Sequence, residues 1–363
     1  MEAAPSNRGL LKIGQGKSTV APIPIPSVPD DSILVKTVAV ALNPTDWQTL
    51  DEVPAPGFSH SLLGVDAAGI VVEIGKGVTK DFKIGDRVAG FSHGGNDRNP
   101  VTGTFANYIL MKGDVSLHIP PSMSFEDAAT LPCGIGTVGL AFYRHLELPT
   151  LTFPVEEKSG GPGPYILIYG GSSATGSLAI QFAKLSGLTV ITTASPRNFD
   201  FVKSLGADHV LDYHDPEVGS KINALTSNTL HLVLDTIAVP SSSSICAAAL
   251  STSPSPDTKL LYVTLLPIAM SRPEVKNIFF LAYTISGEEF EIEGEVWPAS
   301  PEDNSLARVF IGLFDGLLRE GRIKTHPVGL REGGLEGILG GMMEMKEGKV
   351  SGQKLVYRIS DEQ

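Results

Sequence analysis

The chain has 363 residues, 42% of them hydrophobic and 19% charged, enough apolar material for two cores and too little charge for disorder. Its formal net charge of −12 at pH 7 offers no basic footprint for a phosphate backbone, which excludes nucleic acid as a partner and makes solubility the plain meaning of the charge. Cys133 and Cys246 are the only cysteines and lie far apart, so no disulfide framework is expected. The N-terminal residues lack a signal-peptide apolar run and no later stretch is long enough to span a bilayer, so a cytoplasmic chain without membrane contact is expected.

Residues 1–128 read as short β segments broken by glycine and proline. Ile33 to Leu42 alternates and is rich in β-branched residues, as is Gly69 to Ile74, and Asp86 to Gly90 follows after a turn. Together they predict a barrel-like β domain. From Pro164 the texture changes. Tyr165 to Tyr169 is a continuous apolar run, as in a strand buried on both faces. A helix over Ser177 to Ser186, a strand over Thr189 to Thr193 and a helix over Asn198 to Leu205 come next. Further strands are read at His209 to Tyr213, Leu230 to Ile237, Lys259 to Leu265 and Asn277 to Ile285. This alternation predicts a doubly wound parallel sheet. Beyond Pro298 come helices over Leu306 to Glu320 and Leu335 to Glu347, then a strand over Lys354 to Ile359 that returns to the first domain. Residues 160–164 and 251–257 are loops by composition. The expected division is 1–128 with 299–363 as one domain and 129–298 as the other.

Between the apolar strand and the helix stands Tyr169-Gly170-Gly171-Ser172-Ser173-Ala174-Thr175-Gly176. Small side chains and the amides of a helix N-terminus let a pyrophosphate come close, so Ser172, Ser173, Ala174 and Thr175 are expected to bind a dinucleotide. NAD binders place a carboxylate at the end of the second strand, about 20 residues past this loop. Here the stretch is Thr193-Ala194-Ser195-Pro196-Arg197-Asn198, with no carboxylate. Arg197 can pair with a 2′-phosphate, supported by Ser195 and Asn198, which favours NADPH; the other reading is an exposed arginine at a helix start. Tyr213 can reach the same adenosine end or can be an ordinary edge tyrosine.

The pattern Ala41-Leu42-Asn43-Pro44-Thr45-Asp46-Trp47, Gly64-Val65-Asp66-Ala67-Ala68-Gly69, Lys83 to Val88, Gly103 to Ala106, the glycine loop and Gly348 to Val356 resembles the medium-chain dehydrogenase/reductase superfamily. The resemblance covers nearly the whole chain and implies an α/β fold: a GroES-like β domain plus a Rossmann doubly wound parallel sheet. Zinc members carry Cys where this chain has Asn43 and His where it has Val65. Only Cys133 coincides with a ligand position, and one thiolate cannot hold a catalytic zinc, so no metal is expected. His60, His93 and His118 read as surface histidines. Asn43 to Asp46, the glycine loop, Ser195 to Asp200 and Val350-Ser351-Gly352 are similar to fungal trans-acting enoyl reductases of polyketide synthases.

That resemblance implies reduction of an activated carbon–carbon double bond with NADPH, the substrate being an α,β-unsaturated thioester, small or acyl-carrier-bound, with a polyketide synthase as partner. It places Pro44, Thr45, Asp46, Trp47, Leu265, Leu266, Ser351 and Gly352 at the cofactor, and Thr137 at the start of a helix facing it. Hydride addition leaves an enolate whose oxygen needs donors, for which Thr45, Gln48 and Thr137 are the candidates. Gln48 departs from the group, where lysine is frequent; glutamine donates a hydrogen bond but delivers no proton at neutral pH. Val138, Gly139, Leu140, Phe142 and Tyr143, with Thr284, Ile285 and Ser286, are implied to line the substrate cleft. The alternatives are a stand-alone quinone or enone reductase and a non-catalytic NADPH-binding protein. The acidic run Glu288 to Glu295 and Pro298 after the last Rossmann strand would guard that sheet edge and favour a monomer.

Overall fold

The computed structural model describes residues 6–55, 57–151, 163–292 and 294–360; residues 160–162 of the expected loop lie outside them. The chain begins with strands β1 (Asn7–Gly14), β2 (Lys17–Ile23) and β3 (Ser32–Ala41), then helix α1 (Pro44–Asp51). Strands β4 (Ser61–Leu62), β5 (Asp66–Ile74), β6 (Arg87–Phe91), β7 (Tyr108–Lys112) and β8 (Leu117–His118) lead into helices α2 (Phe125–Ala129) and α3 (Pro132–Gly139). There follow β9 (Tyr165–Tyr169), α4 (Ala174–Leu185), β10 (Thr189–Ala194), α5 (Phe199–Ser204), β11 (His209–Asp212) and α6 (Val218–Leu225). Next come β12 (Leu232–Asp235), α7 (Pro240–Ala249), β13 (Leu261–Thr264) and β14 (Lys276–Phe279). The chain closes with β15 (Phe290–Ile292), β16 (Glu295–Trp297), α8 (Pro301–Arg319), β17 (Val328–Arg331), α9 (Gly334–Lys346) and β18 (Lys354–Arg358). Two compact units result: Met1–Gly136 with Tyr283–Gln363, and Thr137–Ala282.

In the first unit β3 is the spine. It pairs antiparallel with β5 on one side and with β7 and β18 on the other, within a sheet ordered β17-β18-β3-β5-β6-β8. With both faces covered, β3 buries nine of its ten residues, which explains its dense β-branched composition. Ile33, Val35, Val40 and Leu42 enter a core with Val71, Val88, Phe105 and Leu355. Each such side chain contributes about 1.5–3 kcal/mol by leaving water. Bulges in the β3–β5 register, between Leu34 and Val35 and between Thr37 and Ala39, bend the sheet toward the barrel shape expected of a GroES-like domain.

The second unit holds a parallel six-stranded sheet in the order β11-β10-β9-β12-β13-β14. In chain order this is 3-2-1-4-5-6, the doubly wound arrangement whose carboxyl edge receives dinucleotides. The strand read as Asn277 to Ile285 is shorter than expected. β14 pairs only with β13, whose ladder ends at Thr264 opposite Phe279, and Ala282–Ser286 turns into a 3₁₀ helix. Helices α4 and α8 each begin earlier than apolar periodicity indicated, because their first turns are set by caps. Ser173 and Ser300 accept hydrogen bonds from the amides of Gly176 and Asp303.

The chain returns to the first unit at Tyr283, ahead of the composition change at Pro298. The reason is aromatic packing. Tyr283 stacks on His93 at 3.8 Å between ring centroids and on Phe91 at 5.3 Å, while Phe290 of β15 meets His93 edge-on. The acidic run contributes β15 and the first residue of β16 to a hairpin in the first unit, where Glu289 and Glu291 pair with Arg98. Among the described residues, no helix is long and apolar enough to cross a membrane.

Candidate active site

Sheet register brings three distant polar residues to one place in the first unit. Ala41, at the end of β3, pairs with Asp66 of β5 and with Val356 of β18, so Asn43, Asp66 and Lys354 converge. The buried Lys354 ammonium lies 2.6 Å from Asp66 Oδ2 and 3.0 Å from Asn43 Oδ1. Asn43 Nδ2 donates to Asp66 Oδ2 at 2.9 Å, and the Cys133 amide donates to Asp66 Oδ1 at 2.7 Å. One carboxylate thus ties β5 to β18, to the N-cap of α1 and to the start of α3. Asp66 and Lys354 each lie in a stretch that carries the family resemblance, but nothing local marks them as partners.

Helix α1 starts where Asn43 caps it and Pro44 supplies a preset φ at its first position. Asp46, three residues past the cap, accepts the Asn43 amide through Oδ2 at 2.6 Å, while its buried Oδ1 takes no hydrogen bond. Burial first, and then the nearby Asp66 charge, raise the Asp46 carboxyl to about 8, against the opposing pull of the Asn43 amide and Lys354. At neutral pH it is mostly the protonated acid. Thr45 is half-buried, its Oγ1 2.9 Å from the Tyr283 hydroxyl, and burial pushes that phenol well above its ordinary range. Trp47 and Gln48 are half-buried on the same helix, and the Lys346 ammonium stands 5.8 Å from the Trp47 ring. Ser351 is exposed and Gly352 takes a positive φ of 65°, in the turn before β18.

In the second unit the glycine loop runs from β9 into α4. A Cβ on Gly171 would stand 2.1 Å from Thr192 Oγ1, and one on Gly176 would stand 2.3 Å from Gly170 O. Only glycine permits this approach. The Ser173 hydroxyl caps the Gly176 amide and lies 2.9 Å from Thr236 Oγ1, holding the turn in shape. Ser172, Ser173, Ala174 and Thr175 remain partly accessible around the helix N-terminus, where first-turn amides lack partners within the helix. Arg197 and Tyr213 follow the adjacent strands β10 and β11, so they share the carboxyl edge with the loop. Arg197 is exposed and, among the described residues, joins no hydrogen bond or ion pair. Tyr213 is 39% exposed. Ser195 and Asn198 bond each other at 3.3 Å, and Leu265 and Leu266 follow β13 on the same edge.

The implied cleft residues have mixed positions. Val138, Leu140 and Phe142 are fully buried, and Tyr143 is half-buried in the π-helical continuation Leu140–His145 of α3. Thr137 does not start a helix: α3 begins at Pro132, which leaves Thr137 and Gly139 within its second half. Thr284, Ile285 and Ser286 belong to the 3₁₀ turn of the first unit. His93 is no surface residue. Its ring lies against Tyr283 and Phe290, and desolvation lowers it to about 3, so it is neutral. His93 was misread as a surface histidine, and Tyr283 was read only as part of the segment implied to line the cleft, because packing alone marks their stacking and the Tyr283 bond to Thr45.

Residues 29–121 match the alcohol dehydrogenase GroES-like domain and residues 174–253 the zinc-binding dehydrogenase domain. The trans-enoyl reductase ACTTS2 of Alternaria alternata is 45% identical over 355 residues, covering 98% of this chain and 99% of that protein. The trans-enoyl reductase TOXD of Cochliobolus carbonum is 48% identical over 286 residues, 79% of this chain and 92% of its own. This chain belongs to the medium-chain dehydrogenase/reductase superfamily. Within it, the chain is an oxidoreductase of the enoyl reductase type. The crystal structure of CurK enoyl reductase shares the fold, with a TM-score of 0.73 at 19% identity, covering 97% of this chain and 99% of that one. A quinone oxidoreductase from Coxiella burnetii does so with a TM-score of 0.71 at 23% identity, covering 98% and 100%.

Members of this superfamily bind a nicotinamide nucleotide, and the close-packed glycines with the accessible first turn of α4 fit its pyrophosphate. The residues do not fit the zinc of the superfamily's metal-dependent members. Val65 offers no donor, Asn43 Oδ1 already accepts from an ammonium ion, and that cation would repel a second one. Among the described residues no group of three His, Cys, Asp or Glu side chains could hold a metal ion.

Replacing Lys354 by Met leaves Asp66 buried without its counter-charge and is expected to cost about 3–5 kcal/mol in urea unfolding. Adding Asp66→Asn should recover part of this loss, because the unpaired charge is gone. Asp46 gives a pH signature. Its folded value of about 8 exceeds the 3.8 of the free group, so stability falls as pH rises from about 4 and levels off above about 8. Asp46→Asn should therefore melt level with the wild type at pH 4 and progressively above it toward pH 8; a gap independent of pH would refute the protonated acid.

Proposed function

We propose that the chain reduces the carbon–carbon double bond of an α,β-unsaturated, polyketide-type thioester with NADPH, acting in trans with a polyketide synthase. The observation that carries this reading is the near full-length likeness to proteins named trans-enoyl reductases. NADPH, when bound, supplies the hydride for the β-carbon. The residues of this chain deal with the charge that follows. An enolate oxygen requires a donor already oriented toward it. Thr45 is such a donor when the Tyr283 hydroxyl gives its own proton to Thr45 Oγ1 across their 2.9 Å contact, since the threonine proton is then left for the substrate. Gln48 and Thr137 are proposed as further donors.

Choice of NADPH is assigned to Arg197, exposed at the carboxyl edge and not engaged elsewhere among the described residues, with Ser195 and Asn198 beside it. Ser172 to Thr175 are assigned to the pyrophosphate and Tyr213 to the adenosine. Pro44, Thr45, Asp46, Trp47, Leu265, Leu266, Ser351 and Gly352 are assigned to the rest of the cofactor.

The decisive measurement is NADPH oxidation with an enoyl thioester, a small quinone and an unsaturated ketone. Turnover of the thioester is expected; fast quinone turnover with none of the thioester would overturn the reading in favour of a stand-alone quinone reductase. Arg197→Ala should raise the KM for NADPH about 10- to 100-fold, the worth of a charge-assisted hydrogen bond, and leave that for NADH nearly unchanged. Equal effects on both would remove Arg197 from the phosphate.

A further inference from the structure

Two turns meet at the carboxyl edge of the second unit, the glycine loop after β9 and the turn from β12 into α7. Asp235 ends β12 opposite Tyr169 in the parallel ladder and is wholly buried. Its Oδ1 accepts the amides of Ile237 at 3.0 Å and Ala238 at 2.9 Å. Its Oδ2 accepts the hydroxyls of Ser242 at 2.6 Å and Tyr262 at 2.7 Å. Ala238 takes a φ of 55°, in the left-handed region that a Cβ disfavours, and the amide bonds to Asp235 hold it there. The turn so fixed presses on the glycine loop: a Cβ on Gly170 would stand 2.5 Å from Ile237 Cγ1 and 2.7 Å from Thr236 Oγ1.

Proton counting then limits what Ser173 can do. Thr236 Oγ1 lies 2.8 Å from Tyr169 O and 3.1 Å from Gly170 O, and a carbonyl only accepts, so the threonine proton goes to these oxygens. In the 2.9 Å contact between Thr236 Oγ1 and Ser173 Oγ the serine is therefore the donor, while it accepts from the Gly176 amide at 2.9 Å. An ionised phosphate oxygen only accepts, and the single hydroxyl proton of Ser173 is already placed. The loop amides are sorted in the same way. Those of Gly170, Gly171, Ser173 and Gly176 bond within the protein, whereas those of Ser172, Ala174 and Thr175 make no hydrogen bond among the described residues.

We propose that Asp235 and Thr236 are positioning residues for the cofactor, which shape the glycine loop through Ser173. The Ser173 hydroxyl caps α4 and is locked to Thr236, and the pyrophosphate is left to the amides of Ala174 and Thr175. This assignment rests on the nucleotide reading of the loop. It narrows the part given there to Ser173 and adds a turn that touches the cofactor loop from the neighbouring strand.

The test uses the full chain with Thr236→Val, Thr236→Ser, Ser173→Ala, the double variant of Ser173→Ala with Thr236→Val, and Asp235→Asn. NADPH affinity is read by calorimetry, and the Gly176 amide by hydrogen exchange without nucleotide. Thr236→Val and Ser173→Ala should each weaken NADPH about fivefold, the worth of one hydrogen bond, and speed exchange at Gly176. The double variant should bind no more weakly than either alone, because both changes cut the same chain, and Thr236→Ser should bind as the wild type does. Additive losses would put the Ser173 hydroxyl on the phosphate itself and overturn the proposal, as would a Thr236→Val chain that binds NADPH at full strength. Asp235→Asn should follow Thr236→Val in both readings, and wild-type values there would remove Asp235 from the proposal. If Asp235→Asn does not fold, the Ser173 and Thr236 variants decide alone. A wild type that binds no NADPH would sink the nucleotide reading, and exchange at Gly176 would still judge the network.

Discussion

The candidate chemistry of the first unit depends on one buried ion pair, Lys354 with Asp66. Both partners are nearly inaccessible, and a charge pair so placed offsets its desolvation only when its remaining hydrogen bonds are also made. Here they are: Asn43, Cys133 and Lys354 together satisfy both carboxylate oxygens. The pair fixes where α1 begins, and α1 carries Thr45, Asp46, Trp47 and Gln48. It also sets a cation beside Asn43, where the resemblance implies a zinc ligand in metal-dependent relatives. A positive charge is still present there, but as an ammonium ion committed to a carboxylate, unable to polarise a substrate oxygen by coordination.

The second unit works by a different constraint, close approach of backbone to backbone. Gly171 and Gly176 leave no room for side chains, and in return the loop presses against β10 and the first turn of α4 stays open to solvent. The parallel order of the sheet then gathers the loop, Arg197, Tyr213 and Leu266 along one carboxyl edge, although they are scattered over about a hundred residues of sequence.

Several elements were legible from local pattern. The run Tyr165 to Tyr169 coincides with β9, and the apolar stretch from Ile33 coincides with β3, because a strand whose two faces are both buried carries apolar side chains in succession. Helix starts were less legible: in α4 and α8 a serine cap and small or acidic first-turn residues carry no periodicity. The segment after Phe279 was misread for a related reason. Its apolar residues pack as a 3₁₀ turn against His93 and Phe91 rather than extending a strand that has no partner. His93 itself looked like a surface histidine, since a lone histidine in a glycine-rich loop has no sequence neighbour that reveals its burial.

The sequence by itself determined the glycine loop, the absence of a carboxylate beside Arg197, and the replacement of zinc donors by Asn43 and Val65, because each is a matter of which atoms are present. Tertiary structure alone decided that Lys354 neutralises Asp66, that Tyr283 bonds Thr45, and that burial raises the Asp46 carboxyl. Those are properties of distance and desolvation between residues separated by as many as 288 positions, and sheet register, not local pattern, sets them.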